Sequence, residues 1–267
     1  MSEPSARPKL PGSLDTHRRL SQWLAVNRDG TVTARTGKVE IGQGVLTALA
    51  QIVADELDVA IARVRMQSAD TGATPDEGFT AGSLSVQESG GALRQVSAEV
   101  RALLLNEAAH ELGAAVEMLT VEDGTVRAPN GRTVTYWGLA DLLDLEREAD
   151  GVAQPKPPES LRLVGQRIAR TDLPAKLAGA PVFLQDMKLA GLLHARVVRP
   201  AWRSAKLLAL DEARVRELPG VVAVVREGSF VAVVTEGETQ ALRAMRRAQG
   251  ASQWTDPKAD GRSFTPH

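Results

Sequence analysis

Residues 37–59 read GKVEIGQGVLTALAQIVADELDV, and the reading of this stretch decides the fold. Val45, Leu46, Leu49, Ile52, Val53 and Leu57 recur at the three-and-four spacing of an amphipathic helix, and residues 37–44 form a glycine-bounded loop that feeds it. Upstream, residues 23–26 and the alternating residues 31–34 flank Asn27-Arg28-Asp29-Gly30, which predicts a β-hairpin whose Asp-Gly supplies the positive φ angles of the turn. Downstream, residues 64–67 read as a short strand and residues 68–82 as a polar loop. The longest helix starts near residues 83–86 and runs to about Leu112, with Leu93, Val96, Val100, Leu103, Leu104 and Ala108 as its apolar stripe. Gly90-Gly91 inside it costs helix propensity and predicts close approach by another backbone. A β-meander turning at Asp123-Gly124 and Asn130-Gly131, then a short helix at 137–145, completes a first unit over 21–149.

The outer segments complete an α+β reading. Residues 1–20 are rich in Pro, Ser and Arg and are expected as an extended arm. Residues 150–162, beginning DGVAQPKPPES, are expected as a Pro-rich linker. A smaller second unit over 163–255 holds a strand at 192–198 and a short helix at 211–218. A hairpin around Glu227-Gly228 and a basic helix at 238–249 follow, and residues 256–267 read as a frayed tail.

Composition excludes several classes of function. With 32 basic and 33 acidic side chains among 267 residues, the chain lacks the electrostatic footprint of a general nucleic-acid binder. Nine aromatic residues are too few for a base-stacking platform. Without cysteine it can build no disulfide, thiolate zinc site, cysteine nucleophile or cysteine-ligated iron–sulfur cluster of its own. His17, His110, His194 and His267 have no ligand spacing. His110-Glu111 opens like a metalloprotease helix, but Ala114 stands where the second ligand belongs, so His110 and His194 read as structural. No nucleophile elbow, phosphate loop or dinucleotide fingerprint occurs. Asp55, Glu56 and Asp58 read as a solvated helix end. Neither a signal-peptide pattern nor an apolar run of membrane-spanning length is present, so a cytoplasmic location is expected.

Two glycine-rich loops, each feeding the start of an amphipathic helix, remain as candidate sites. Gly42, Gln43 and Gly44 precede Val45; Gly78-Phe79-Thr80-Ala81-Gly82-Ser83 precedes the long helix. A helix start presents unpaired N–H groups and the positive end of its dipole, which suits an anionic or strongly polar ligand. Gln43, Thr80, Ser83 and Ser85 add neutral hydrogen-bonding groups, and the absence of a charged side chain in 42–44 and 78–83 favours cradling a large polar cofactor over nucleotide hydrolysis. The plainer alternative is that the glycines end strands and Ser83 or Ser85 caps a helix. Spacing alone favours that plainer alternative.

Residues 37–59, together with DTGATPDEGFTAGSLSVQESGGALRQ at 70–95, resemble the cofactor-contacting loops of the molybdenum hydroxylases, the xanthine dehydrogenase/aldehyde oxidase family. The resemblance is closest to the large subunits of its nicotinate dehydrogenase and isoquinoline 1-oxidoreductase branch. LVGQRIARTDLPAKLAGAPVFLQD at 163–186, GLLHARVVRP at 191–200 and the hairpin after Pro219 resemble the opening of that family's small hammerhead domain. The chain thus looks like an N-terminal fragment of a molybdopterin-binding domain followed by a hammerhead-like domain. The resemblance implies that Gln43, between Gly42 and Gly44, lies beside the metal's ligand sphere. It likewise implies that Thr80, Ala81, Gly82, Ser83 and Ser85 hold the pterin or its phosphates; whether the pterin is a cytosine dinucleotide stays open.

Family members hydroxylate an N-heteroaromatic carbon or oxidise an aldehyde with a glutamate base, and electrons leave through iron–sulfur clusters. The family's catalytic glutamate motif and its phenylalanine-containing glycine loop are not found here. Glu77, Glu88 and Glu111 match neither, so no catalytic residue and no metal ligand is assigned. The implied partners are a chain carrying the rest of the cofactor domain, a small iron–sulfur subunit and a small heteroaromatic or aldehyde substrate; no nucleic acid and no membrane span are expected. The alternatives are a non-catalytic truncated remnant, an assembly or docking module of such a complex, or an unrelated α+β protein with similar loops.

Overall fold

The computed structural model describes residues 7–181, 183–202 and 204–255. They fall into two compact units, Met1–Ala180 and Pro181–His267.

In the first unit, 3₁₀ turns at Gly12–Asp15 and Leu20–Gln22 lead into β1 (Leu24–Val26) and β2 (Val32–Thr36). These two strands form the expected hairpin, Leu24 opposite Ala34. Helix α1 (Val45–Leu57) then crosses to β3 (Val64–Ser68), which pairs parallel with β2 in the order β1-β2-β3. A π-helical turn, Val86–Gly90, runs straight into α2 (Gly91–Leu112). The meander follows as β4 (Thr120–Glu122), β5 (Thr125–Arg127) and β6 (Thr133–Thr135), then α3 (Tyr136–Leu139) and, late in the unit, α4 (Leu173–Leu177). Helix α3 is shorter than expected and relaxes into a 3₁₀ turn by Leu142.

The apolar periodicities converge on one core. Leu49, Val53 and Leu57 of α1 meet Leu93, Val96, Val100 and Leu104 of α2, with Val32, Ala34, Trp23 and Tyr136 beside them. Each such aliphatic side chain contributes about 1.5–3 kcal/mol by leaving water. Gly90 does make a close approach, but to side chains. A Cβ there would stand 3.0 Å from the Ile52 Cδ1 of α1. The backbone contact expected of it belongs to Gly12, whose Cβ would sit 2.0 Å from the Glu88 carbonyl oxygen.

Two segments depart from the sequence reading. The described part of the expected arm is folded: Leu10, Leu14 and Leu20 are buried, and Leu20 and Ser21 donate backbone hydrogen bonds to Arg147 and Leu145. Three leucines among polar residues were enough to anchor it. The expected linker at 150–162 is likewise held on the first unit. Asp150 and Gly151 give their amides to Glu99, Lys156 gives its amide to Glu56, and residues 162–164 give theirs to Asp55. The division between units accordingly falls after Ala180.

The second unit, by itself, holds β7 (His194–Val198), β8 (Leu207–Leu210), α5 (Ala213–Arg216), β9 (Val221–Glu227), β10 (Phe230–Thr235), α6 (Glu238–Gly250) and β11 (Ser252–Trp254). Antiparallel β7-β10-β9 forms its main sheet, and β11 pairs with β8. Val198, Val215, Val224, Val231 and Val233 pack against Ala244 and Ala248 of α6. The expected tail at 256–267 lies outside the described residues.

Candidate functional site

Because β2 and β3 are parallel, with Thr36 opposite Ser68, both end at one edge of their sheet, and both glycine-rich loops leave from it. In sheets of this kind the crevice beyond the carboxyl ends of the strands is where ligands are held. Buried polar contacts fasten the two loops together. The Glu77 Oε2 accepts from the Gly37 amide and the Thr36 hydroxyl, both at 2.8 Å. Buried Lys38 donates through Nζ to the Glu77 carbonyl at 2.6 Å. Val39 gives its amide to the Thr80 hydroxyl at 2.8 Å. At Gly37 a Cβ would lie 2.3 Å from the Pro75 carbonyl oxygen, so only glycine lets the two backbones meet. The Glu77 Oε1 remains buried without a partner among the described residues.

The first loop presents its predicted residues differently from expectation. Gly42 and Gly44 have φ of +107° and +78°, and that turn exposes Gln43. The Gln43 amide closes on its own loop: Oε1 accepts from Ile41 N at 2.6 Å, and Nε2 donates to Val39 O at 2.9 Å. Nor is the start of α1 an open anion cradle. The Glu40 carboxylate accepts from the amides of Gly42, Gly44 and Leu46 at 2.9, 2.8 and 3.3 Å. Burial pushes the Glu40 carboxyl upward, yet those amides and nearby Arg170 outweigh it and hold its pKa below the ordinary value.

Arg170 closes the other side of this loop. It donates to the Gly42 carbonyl at 2.6 Å and makes a two-pronged bond to Asp172 at 3.0 and 2.7 Å. The Arg170 fork, with Lys176 at 2.6 Å, holds the Asp172 carboxyl far below the usual carboxylate range. Thr171 adds a bond from its amide to the Thr47 hydroxyl of α1 at 3.0 Å.

The second loop is open where the first is closed. Gly82 and Ser83 adopt left-handed φ of +66° and +58° in succession, and Ala81, Gly82 and Ser83 are exposed. Among the described residues their amides have no acceptor, and neither Ser83 nor Ser85 spends its hydroxyl on capping the helix. Successive amides around such a turn form an anion-binding concavity. The Thr80 hydroxyl accepts the Val39 amide and keeps its own proton to donate. A belt of large apolar side chains borders this edge: Phe79 is 95% exposed and Ile41 72%, with Val39, Leu84 and Val86 beside them.

Sequence reading missed Glu40, Arg170 and Lys38, and weighed Glu77 only as a base and not as the link between the loops. Only Glu40 carried a local signal, an acid one turn before a glycine that opens a helix. It also misjudged the end of α1. Far from being a solvated face, Asp55 and Glu56 are buried there, the latter 1% exposed. Asp55 takes the amides of residues 162–164. Glu56 pairs with Arg94 at 3.0 Å and Asp58 with Arg101 at 3.0 Å, and Lys156 also reaches Asp58.

Residues 6–156, which carry both glycine loops, match the family model for a molybdopterin cofactor-binding domain. The chain belongs to that family. A nicotinate dehydrogenase component from Pseudomonas putida is 41% identical over 251 residues, 90% of this chain and 21% of the relative. A membrane-bound aldehyde dehydrogenase of Gluconacetobacter polyoxogenes, named for pyrroloquinoline-quinone, is 28% identical over 83% of this chain and 30% of the relative. The beta component of isoquinoline 1-oxidoreductase from Brevundimonas diminuta is 27% identical over 84% of this chain and 34% of its own. The resemblance read from residues 37–59 and 70–95 therefore holds, including its nicotinate and isoquinoline branch. The chain spans between a fifth and about a third of the length of these relatives. No helix among the described residues is long and apolar enough to cross a membrane.

Proposed function

We propose that this chain supplies one wall of a molybdopterin site in an oxidoreductase that hydroxylates an N-heteroaromatic carbon or oxidises an aldehyde. The open amide turn at Ala81, Gly82 and Ser83, on the same sheet edge as Gln43, is the observation that carries the reading. These residues fit a pterin–phosphate group: three exposed amides and two free hydroxyls, Ser83 and Ser85, offer neutral hydrogen bonds to a polyanion without a competing carboxylate in the turn. Gly42 and Gly44 leave Gln43 on the outside of its loop, and releasing its two local bonds turns the amide toward a bound group. The cofactor supplies the redox chemistry, while this chain's residues bind, orient and exclude water.

No base is assigned among these 267 residues. A second polypeptide segment carries the catalytic glutamate, and the greater length of the relatives supports that division. The exposed belt of Phe79, Ile41, Val39, Leu84 and Val86 is the surface that segment covers, since apolar patches of this kind mark association sites. With no cysteine among these 267 residues, any iron–sulfur cluster would be ligated by residues outside them, as on a partner chain.

The test is molybdenum and pterin content of the chain, purified alone and after co-expression with the products of the adjacent genes. Both should appear only in the co-expressed complex, and Gln43→Ala with Gly82→Val should strip them while leaving complex formation intact. Absence of metal in both preparations, or full retention by the double variant, would overturn the proposal.

A further inference from the structure

In the second unit, the basic helix read from the sequence does more than face solvent. Arg243, Arg246 and Arg247 of α6 and Arg214 of α5 surround a hollow of about 440 Å³ floored by Gly250 and Ala251. The hollow is open to solvent, and all four arginines are exposed around it. None of the four guanidiniums has a carboxylate within ion-pair distance among the described residues. The neighbouring acids are committed elsewhere: Glu212 to Arg216 at 2.9 Å and Glu238 to Arg196 at 2.8 Å. Asp211 accepts the Arg214 backbone amide at 3.3 Å. The imbalance extends over the whole unit, whose residues 181–267 carry 13 basic and 9 acidic side chains.

Helix energetics do not account for this arrangement. Like charges three and four residues apart on one helix face destabilise it. The negative end of the helix dipole rewards a cation in the last turn, where Arg247 stands, but not four around one hollow. What four guanidinium forks around a concavity do favour is a compact, multiply charged oxyanion, which they bind through paired N–H···O bonds.

We infer that this hollow is a binding site for a phosphate-bearing small molecule, with Arg214, Arg243, Arg246 and Arg247 as its ligands. It is independent of the cofactor reading and stands or falls separately. Free pyrophosphate and the diphosphate of a nucleotide share the required chemistry.

The test is isothermal titration of the full chain with inorganic phosphate, pyrophosphate and ADP at constant ionic strength. Pyrophosphate should bind more tightly than phosphate. Arg243→Ala with Arg247→Ala should weaken it by about a hundredfold, on the order of tenfold for each lost charged hydrogen-bonding group. Arg226→Ala, an exposed charge on β9, should leave it unchanged, and Arg243→Lys with Arg247→Lys should retain folding while losing the paired geometry and much of the affinity. ADP binding as tightly as pyrophosphate would assign the site to the diphosphate alone; tighter binding would extend it to the nucleoside. Three outcomes would overturn the inference: no heat at millimolar pyrophosphate, equal loss in the Arg226 variant, or binding of an oligoglutamate peptide but not of pyrophosphate.

Discussion

Replacing Glu40 should destabilise the first loop, and the cost should depend on what replaces it. Its carboxylate, 8% exposed, takes three backbone amides at the start of α1 and stands 3.5 Å from Arg170. Glu40→Ala leaves those amides and the guanidinium without their acceptor, which should destabilise the chain by about 3 kcal/mol, the size of losing a charged hydrogen-bonding group. Glu40→Gln keeps an oxygen acceptor in place and forfeits the charge, so the loss should be nearer 1 kcal/mol, the worth of an anion at a helix N-terminus. Urea denaturation followed by far-UV circular dichroism gives the ranking. Amide hydrogen exchange over residues 41–46 localises it. Because the folded pKa of Glu40 lies below its unfolded value of 4.5, its stabilisation is complete above that pH and drains away as pH falls through the folded pKa. The gap between wild type and the Gln variant should therefore be flat from pH 6 to 8 and close in acid, below about pH 4. A Gln variant as unstable as the Ala variant, or an Ala variant as stable as wild type with unchanged exchange, would show that Glu40 does not hold this helix start.

Three further changes probe the remaining contacts. Asp55→Ala strips the acceptor from the amides of residues 162–164 and should cost about 3 kcal/mol, with new proteolytic cleavage between residues 157 and 167 as the local readout. Gly12→Ala should be worse, about 3 kcal/mol or more, since its Cβ would overlap the Glu88 carbonyl and its φ is +54°; loss of the thermal transition is the expected sign. Gln43→Ala should shift the chemical-denaturation midpoint by less than about 1 kcal/mol, because its two bonds are local and exposed. A large effect there would make Gln43 a loop strut and remove the reason to see it as a residue kept for a ligand.

What the sequence made legible was what depends on neighbours in the chain. The hairpin at Asp29-Gly30, α1, the long second helix and the turns at Gly124 and Gly131 all follow from short-range patterns of apolar spacing and turn residues. Gly42, Gln43, Gly44 and residues 80–83 were legible as loops for the same reason, and their meeting on one sheet edge follows from the parallel pairing of β2 with β3. Contacts across long separations were not legible. Arg170 reaches Gly42 over 128 residues, and Asp55 reaches Val164 over 109. An acidic helix end looks the same in sequence whether water or three backbone amides face it. The Pro-rich stretch at 150–160 carries the composition of a linker because it forms no regular structure, and its polar backbone is satisfied by buried carboxylates instead.

Those long-range contacts share one purpose, which is to brace α1 at both ends. At its start, Glu40 satisfies the loop amides and Arg170 holds the Gly42 carbonyl. At its finish, Asp55, Glu56 and Asp58 draw in residues 156–164 and two arginines of α2. A single irregular segment, from Asp150 to Asp172, therefore runs along the helix that carries the Gln43 loop and ties down both of its ends. The family match ends at residue 156, but the contacts that fix the geometry of its first loop extend to Asp172. A carboxylate that accepts three amides fixes backbone far more tightly than apolar packing of Pro and Ala could, because each bond is directional and charge-assisted. That explains why buried acids, costly in themselves, stand where the sequence pattern alone would place solvent. The loop that presents Gln43 is thus held by Glu40 within it and by Arg170, 128 positions away, through charged hydrogen bonds added to the apolar packing of α1.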